Sequence, residues 1–250
     1  MPNKKNKYQA TSFDHFRSLA TDSTLSKYEK IGFPDAYRAG YEESIFSDIR
    51  FKTSNLELPG SIILDIGPGC SGLSELIISH SRNLQHKLHL VDSAEMLSNI
   101  SDESFIKKIN GIFPECMRSM ADLVGKVDVI VCYSVFHYVL IDVPIFRFLD
   151  SALSLLAPGG QFLIGDIPNI SKRKRFFSSE AGSKYHKQFM NTQEPPIVEF
   201  NKIENDQIDD AIIFSILHRS RDQGFDAYLL PQPLCLPMSN RREDILIVRP

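Results

Sequence analysis

The sequence lacks tryptophan and has only four cysteines among its 250 residues. None of the cysteines forms a CxxC pair, the spacing typical of zinc ribbons and thiol redox sites. Histidine, the other common metal ligand, shows no ligand spacing either. We therefore predict no metal site and reduced, buried thiols. The four cysteines are Cys70, Cys116, Cys132 and Cys235.

The sequence also lacks a long apolar run. Its longest, residues 127–146, is interrupted by charged residues and Pro144, and no apolar segment follows the basic N-terminus. We expect neither a membrane span nor a secretion signal, and predict a cytoplasmic protein. The 28 Lys and Arg nearly balance the 31 Asp and Glu, so net charge favours neither nucleic acid nor a membrane as partner.

The chain divides into two parts by the pattern of its apolar residues. Residues 1–58 are polar with helical spacing of apolar side chains, and they predict an N-terminal helical cover. From residue 59 short apolar runs alternate with stretches of helical period, the pattern of βαβ units. We predict an α/β domain over residues 59–250 with a Rossmann-like, doubly wound, mostly parallel sheet. The predicted strands are 62–66, 87–92, 105–110, 127–133, 161–167, 225–230 and 244–248.

Residues 168–207 interrupt this alternation and predict a helical insertion with segregated charge. Within 170–190 there are six Lys or Arg and one Glu, whereas 194–210 holds six Asp or Glu and one Lys. We predict that the insertion covers the substrate and that Arg175 and Tyr185 contact an anionic or sugar-like group. The alternatives are a solvated basic face, or packing on the domain or on a second copy in a homo-oligomer. The stripe that predicts its helix is Phe177, Ala181, Tyr185 and Phe189.

A glycine-rich turn joins the first predicted strand to a helix. Gly67, Gly69 and Gly72 allow a ligand to approach the backbone beside the free N–H groups of the helix start. Asp92 ends the next strand, 20 positions after Gly72, where a carboxylate can accept hydrogen bonds from ribose hydroxyls. This pattern predicts a nucleoside-containing cofactor.

The same glycine spacing fits dinucleotide-binding proteins, so a nicotinamide- or flavin-dependent enzyme is one alternative. Asp65 argues against it, because a carboxylate two residues before Gly67 disfavours a pyrophosphate and suits a cationic ligand. The second alternative is a non-catalytic module that keeps the fold and uses the insertion for protein contacts.

Four runs of sequence, in order, resemble the class I S-adenosylmethionine-dependent methyltransferases. They are the glycine motif at 64–69, the ribose strand and helix at 91–97, the fourth strand and its loop at 127–139, and the fifth strand at 156–164. The resemblance covers about residues 60–167. It implies a seven-stranded sheet with an antiparallel last strand, S-adenosylmethionine as cofactor, and a small-molecule acceptor rather than nucleic acid or a membrane.

The resemblance also implies which residues bind the cofactor. Ile112 and Phe113 stand where the family usually has an aspartate that meets the adenine amino group, so apolar packing and backbone atoms are expected to replace that aspartate. Met96 would contact the ribose side of the base. The full implied set is Asp65, Gly67, Pro68, Gly69, Cys70, Asp92, Ser93, Met96, Ile112, Phe113 and Tyr133.

In this family a substrate nucleophile displaces the methyl group from sulfonium in line. His137 and then Asp166, at the ends of the fourth and fifth strands, are the candidate general bases. His137 and Tyr138 are also candidate substrate contacts. Two alternatives are a structural His137 and a nucleophile that needs no base. Arg38 is a candidate partner of the cofactor's carboxylate, with a structural role as the alternative.

Overall fold

The computed structural model describes residues 12–202, 204 and 207–250. Residues 1–11 of the predicted cover and residues 203, 205 and 206 of the predicted insertion lie outside the described residues. The strands are β1 (Ile62–Ile66), β2 (Lys87–Asp92), β3 (Ile106–Asn110), β4 (Val127–Tyr133), β5 (Leu156–Pro168), β6 (Asp226–Pro231) and β7 (Arg242–Val248). The helices are α1 (Phe13–Thr21), α2 (Glu42–Lys52), α3 (Gly72–Asn83), α4 (Ala94–Leu97), α5 (Phe136–Asp142), α6 (Ile145–Leu155), α7 (Ile170–Ser178), α8 (Glu180–Met190) and α9 (Asp210–Asp222).

The seven strands form a single sheet in the order β3-β2-β1-β4-β5-β7-β6. The first five strands are parallel, and β7 runs antiparallel to both of its neighbours. The predicted fold class is therefore confirmed. Strand order reverses between β1 and β4, and ligands of such sheets bind at the carboxyl ends of the strands beside that point.

Both faces of the sheet are covered, which explains the unbroken apolar character of its central strands. In β4, Ile130 and Cys132 belong to the core cluster that contains α5, α6 and α9. Val129 and Val131 point to the other face, into the cluster that contains α2 and α3. All four side chains are at most 1% exposed. The core thus consists of two apolar layers on either side of one sheet.

β5 begins earlier than predicted. The predicted start was Gln161, but α6 ends at Leu155 and β5 follows at once. The reason is pairing across the sheet: Leu156 is in register with Val127, and the Gly159 N–H donates to the carbonyl of Arg249 at 2.9 Å. The Pro-Gly-Gly run therefore lies within the strand.

The insertion contains two helices where one was predicted, and this prediction was wrong. Ser179 is extended and its hydroxyl accepts the N–H of Gly182 at 3.1 Å, so it caps the start of α8. A Cβ on Gly182 would lie 1.9 Å from the carbonyl oxygen of Phe176, so this glycine lets the two helices meet closely. The aromatic stripe is consequently divided between α7 and α8.

Two further segments contain 3-10 helix. The segment after Pro114 is a 3-10 helix, Glu115–Leu123, with a break at Met120. In the predicted cover, the 3-10 helix Asp35–Tyr37 precedes α2. No described helix combines the length and apolar character needed to cross a membrane.

Candidate active site

The glycine turn after β1 brings backbone rather than side chains to the carboxyl end of the sheet. Gly67 and Gly69 have φ of 74° and 64°, which most L-residues avoid. A Cβ on Gly67 would lie 2.6 Å from Val135 Cγ2, and one on Gly69 would lie 2.7 Å from Ile31 Cγ2. These positions therefore require glycine both for their conformation and for the close approach of neighbouring segments.

Asp92 at the end of β2 faces this turn. Its Oδ1 accepts the Ser93 N–H at 2.7 Å and its Oδ2 accepts the Gly69 N–H at 3.3 Å. Burial raises the pKa of Asp92 to about 6, although these two hydrogen bonds oppose the increase. The Ser93 hydroxyl accepts the N–H of Met96 at 3.1 Å and caps α4, which fixes the backbone behind the carboxylate.

Asp65 is buried behind the turn at 3% exposure. Burial, together with the negative charge of Asp92, raises the pKa of Asp65 to about 8. Asp65, Cys70 and Ser93 are not among the described residues that line the adjacent cavity. Contact of these three residues with the cofactor therefore stays a prediction. It would require their backbone atoms or a conformational change on binding.

A cavity of about 1100 Å³, measured out to its mouth, lies over the turn. The other predicted cofactor residues line it together: Gly67, Pro68, Gly69, Asp92, Met96, Ile112, Phe113 and Tyr133. The mostly apolar lining is typical of small-molecule sites. Tyr138 lines it as well, whereas His137 and Asp166 are not among its described lining residues.

The described part of the predicted cover closes over this cavity. Phe13 and Phe16 of α1 line it, and the Phe16 ring meets the Tyr138 ring edge-on at 4.6 Å between centroids. Two polar contacts attach α1 to the body on opposite sides. Arg17 pairs with Glu95 of α4 at 2.7 Å, and the Phe13 N–H donates to Asp142 of α5 at 2.9 Å.

Tyr28 and Glu42 add a polar contact within the cover. The Tyr28 hydroxyl donates a short hydrogen bond to Glu42 Oε1, and the Gly40 N–H donates to Oε2 at 2.8 Å. Hydrogen bonding to the carboxylate raises the pKa of Tyr28 to about 12. A Cβ on Gly72 would lie 2.9 Å from Glu42 Oε1, so this carboxylate sits against the start of α3.

A buried cluster of charges joins the cover to the ends of β4 and β5. Its members, which we call the Arg38 cluster, are Arg38, Ser134, Asp166 and Arg242. Arg38 Nη2 donates to Ser134 Oγ at 2.5 Å and to Asp166 Oδ2 at 2.7 Å. Arg242 Nη1 donates to the Asp166 carbonyl at 2.9 Å. Ser134 and Asp166 both have positive φ, 63° and 57°, which is uncommon outside glycine and typical of functional sites.

Asp166 is therefore ionised and already fully engaged. The guanidinium groups of Arg242 and Arg38 overcome the effect of burial and keep the pKa of Asp166 below its usual value. A carboxylate of low pKa that accepts hydrogen bonds from two residues is a weak general base. Its geometry is that of a residue that positions Arg38.

His137 lies close to the Arg38 cluster and its ring packs on Tyr138, with centroids 3.8 Å apart. Burial, with the positive charges of Arg242 and Arg38, lowers the pKa of His137 to about 3. Its Nδ1 is buried and has no hydrogen-bond partner among the described residues. The imidazole is therefore neutral at physiological pH and weakly basic.

Arg175 and Tyr185 do not come to the cavity. Arg175 pairs with Asp210 at 2.5 Å, and Tyr185 stacks on Phe189 with centroids 5.8 Å apart. Neither residue is among those described as lining the cavity. The basic segment of the insertion thus uses part of its charge in local ion pairs.

Sequence reasoning missed four participants in the site: Ser134, Tyr28, Glu42 and Gly165. Ser134 was noticed only as part of the β4 motif, and its position directly after a strand end was the available signal. The Tyr28–Glu42 contact joins residues 14 positions apart in a polar segment, and no spacing rule connects them. Gly165 was also overlooked: a Cβ there would lie 2.3 Å from Tyr133 Cδ2, so the Tyr133 ring rests on this glycine.

The cradle fits the cofactor that the motifs imply. Side chains are excluded at Gly67 and Gly69, a carboxylate ends β2, and the apolar side chains of Met96, Ile112 and Phe113 line the same cavity. This donor and acceptor set suits a ribose and an adenine. The carboxylates of Asp92 and Glu42 in the wall suit a ligand that carries positive charge.

The fold is similar to those of solved methyltransferases. The plantazolicin methyltransferase BamL, in complex with a triazolic desmethylPZN analog and SAH, has 15% identity and a TM-score of 0.56, covering 95% of this chain and 96% of that one. The CurJ carbon methyltransferase has 16% identity and a TM-score of 0.54, with 94% and 63% covered. The Haemonchus contortus phosphoethanolamine N-methyltransferase 2, in complex with phosphomonomethylethanolamine and S-adenosylhomocysteine, has 13% identity and a TM-score of 0.53, with 96% and 60% covered.

Comparison with curated proteins gave no significant match. The profile of a family described as "Methyltransferase domain" does match, over residues 37–193, which is more than half of the chain. The matched region contains the glycine turn, Asp92, the Arg38 cluster except Arg242, and the five parallel strands. The chain therefore belongs to the class I S-adenosylmethionine-dependent methyltransferases.

Proposed function

We propose that the protein methylates a small, largely apolar acceptor inside the cavity between the glycine turn and the N-terminal cover. The observation that carries this proposal is the lining of that single cavity. Gly67, Gly69 and Asp92 line it together with Phe13 and Phe16 of the cover. A cavity closed by aromatic side chains excludes water and admits a small molecule more readily than a polymer.

In this proposal, different residues bind different parts of the cofactor. Asp92 accepts hydrogen bonds from the ribose hydroxyls, while the turn at Gly67 and Gly69 lets the cofactor approach the backbone closely. Ile112 and Phe113 pack on the adenine. Bound S-adenosylmethionine supplies an electrophilic methyl group: the acceptor's electron pair forms the new bond to carbon, and sulfur keeps the pair of the bond that breaks.

Similar folds with bound acceptors support a small acceptor. BamL was solved with a triazolic desmethylPZN analog, and the Haemonchus contortus enzyme with phosphomonomethylethanolamine. The insertion gives no support for an anionic or sugar-like acceptor, because Arg175 is engaged by Asp210 away from the cavity. The mostly apolar lining favours an acceptor with few polar groups.

The low basicity of His137 and Asp166 bears on catalysis. We assign Asp166 to the positioning of Arg38, and His137 to the wall behind Tyr138. Neither group removes a proton efficiently near neutral pH. The protein's own contribution is then to bind, orient and desolvate the reactants.

Titration calorimetry tests the cofactor directly. We expect the protein to bind S-adenosylmethionine and S-adenosylhomocysteine but not NADH, because the Gly67 and Gly69 N–H groups that would hold a pyrophosphate already donate to Val91 and Asp92. Asp92→Ala should weaken S-adenosylhomocysteine binding by about 1.5–3 kcal/mol, the scale of hydrogen bonds to a charged group. Binding of NADH alone would support the oxidoreductase alternative, and binding of neither would support a non-catalytic module. Lys107→Ala, on the exposed surface of β3, is a control that should bind like the parent.

A further inference from the structure

The Arg38 cluster presents a positive end to the cavity. Two guanidinium groups, Arg38 and Arg242, surround the single carboxylate of Asp166. The next charged groups are Asp244, Lys52 and Asp48. Lys52 Nζ lies 2.6 Å from the carboxylate of Asp244 and 2.5 Å from that of Asp48. Of these six charged groups, only Arg38 is among the residues that line the cavity. A ligand in the cavity therefore meets a buried cation first.

Arg38 also has unused hydrogen-bond donors. Its Nη2 makes both contacts to Ser134 and Asp166, and no described residue accepts a hydrogen bond from Nε or Nη1. The guanidinium packs on the Phe33 ring, 4.0 Å from its centroid, and is 6% exposed. Guanidinium donors that face a cavity bind oxyanions strongly. The cation is thus held in place with donors to spare.

The carboxylates around the cavity are engaged away from Arg38, and the Tyr133 phenol beside Arg38 keeps its proton because burial, with the charges of Asp166 and Asp244, raises its pKa. The carboxylate of Glu42 is bound by Tyr28 and sits against Gly72, and Asp92 accepts hydrogen bonds at the glycine turn. Asp142 accepts the Phe13 N–H at the end of α5. Beside the cluster, burial is the main reason that the pKa of His137 is low, and the positive charges of Arg242 and Arg38 lower it further. The same positive charges favour the anionic form of an acid bound beside Arg38, whereas burial opposes it.

We propose that the acceptor is an oxygen acid, such as a phenol, an enol or a carboxylic acid, bound as its anion with the anionic oxygen at Arg38. This inference rests on the proposed function and specifies its acceptor. The acid releases its proton to solvent on binding. A lone pair of the anion then forms the bond to the methyl carbon as the carbon–sulfur bond breaks toward sulfur. An ionised nucleophile explains why no efficient general base is present among the described residues near the cluster.

A chromogenic acid tests the proposal on the intact protein. The probe is 4-nitrophenol, whose phenolate absorbs visible light, added to protein saturated with S-adenosylhomocysteine. We expect the bound probe to ionise at a pH about one to three units lower than the free probe, the scale for an opposite charge nearby. The neutral analogue 4-nitroanisole, of similar size and shape, should bind at least tenfold more weakly than the phenolate.

Substitutions locate the effect. Arg38→Met should abolish the displacement of the probe's ionisation, and Arg38→Lys should restore part of it because the charge returns without the fixed planar donors. Arg175→Met is the matched control: it removes an arginine paired with an aspartate outside the cavity, and should leave the probe unchanged. Thermal unfolding and S-adenosylhomocysteine affinity verify that each variant is folded.

The outcomes separate this inference from the proposed function. If the protein does not bind S-adenosylhomocysteine, the proposed function itself fails. If it binds S-adenosylhomocysteine but leaves the ionisation of 4-nitrophenol unchanged, binds the anisole as tightly, or binds neither probe, the anionic acceptor is wrong. If the bound probe still ionises at a lower pH than the free probe in folded Arg38→Met, Arg38 is not the residue that binds the anion.

Discussion

Single residues at the strand ends carry both the chemistry and the conformational cost of this site. Gly67 and Gly69 adopt positive φ to keep side chains out of the cavity, while Ser134 and Asp166 adopt it to meet one guanidinium. A positive φ in a non-glycine residue costs free energy that surrounding contacts must offset. Here the hydrogen bonds from Arg38 to Ser134 and Asp166 offset this cost. The conformation of the strand ends therefore depends on contact with the N-terminal cover.

At this scale Asp92 predicts a pH dependence of cofactor binding. Burial raises its pKa from the usual 3.8 to about 6 in the cofactor-free protein. The ionised form is the better acceptor for ribose hydroxyls, so affinity should be constant above that pH. Below it, affinity should fall by up to about tenfold per pH unit as the carboxylate becomes protonated.

Calorimetry with S-adenosylhomocysteine between pH 4.5 and pH 8, as about the usable range, measures this dependence. The thioether ligand lacks the sulfonium charge, which reduces any contribution from Asp65. Asp92→Asn cannot ionise and should give weaker binding with a flatter profile in the acidic range. An unchanged acidic limb in this variant would assign the titration to another group.

At the scale of elements, α1 connects the two halves of the cavity mouth. It contacts α4 through Arg17 and Glu95, and α5 through the Phe13 N–H and Asp142. Both contacts are exposed, so each contributes little to stability. A helix attached by weak polar contacts over an apolar site can open without unfolding the domain.

Arg17→Ala should therefore accelerate ligand release. We expect S-adenosylhomocysteine to dissociate about two- to fivefold faster, with the melting temperature nearly unchanged, because only an exposed pair is lost. Stopped-flow displacement measures the rate. Arg147→Ala is the control, since Arg147 makes a comparable exposed pair with Glu115. Equal dissociation rates in both variants would show that this pair does not limit opening.

For the whole molecule, a second buried ion cluster joins the N-terminal cover to the sheet. Lys52 of α2 lies between Asp48 and Asp244 of β7, and all three side chains are at most 5% exposed. Burial raises the pKa of both carboxylic acids, and the lysine charge opposes this. The cluster ties residues 192 positions apart in sequence.

Lys52→Met should destabilise the protein by about 3–5 kcal/mol, because it leaves two buried carboxyl groups without their cation. Arg50→Met, on the same helix, removes an exposed pair with Glu57 and should cost about 0–1 kcal/mol. Urea unfolding of the two variants provides the comparison. Similar losses in both would mean that Lys52 is not a buried structural cation.

The sequence was sufficient for most of the sheet. β1, β2 and β4 have the predicted bounds because their runs of buried apolar residues end at the glycine turn, at Asp92 and at Ser134. It failed where a longer-range contact decided the outcome. Leu156 joins β5 because Val127 lies beside it, and Ser179 starts a new helix through a local cap that the apolar stripe did not reveal.

The predictions for the site also succeeded where local sequence decided the outcome and failed where distant contacts did. Gly67, Gly69 and Asp92 follow strand ends, and strand ends of a parallel sheet converge, so the sequence brought them together correctly. The prediction placed Arg175 at the cavity because of its charge alone. Charge does not specify the nearest partner, which in the structure is Asp210. The basicity of His137 was also not readable from sequence, because it depends on Arg38 and Arg242, which are distant along the chain.

The seat of Tyr133 on Gly165 restricts how this enzyme can be redesigned. Any side chain at position 165 would enter the volume now filled by the phenol ring, which itself forms part of the cavity wall. The two positions must therefore be exchanged as a pair: a larger residue at 165 is compatible only with a smaller one at 133. Paired substitution of residues 133 and 165 is therefore a way to change the width of the cavity, and with it the molecules that the enzyme accepts.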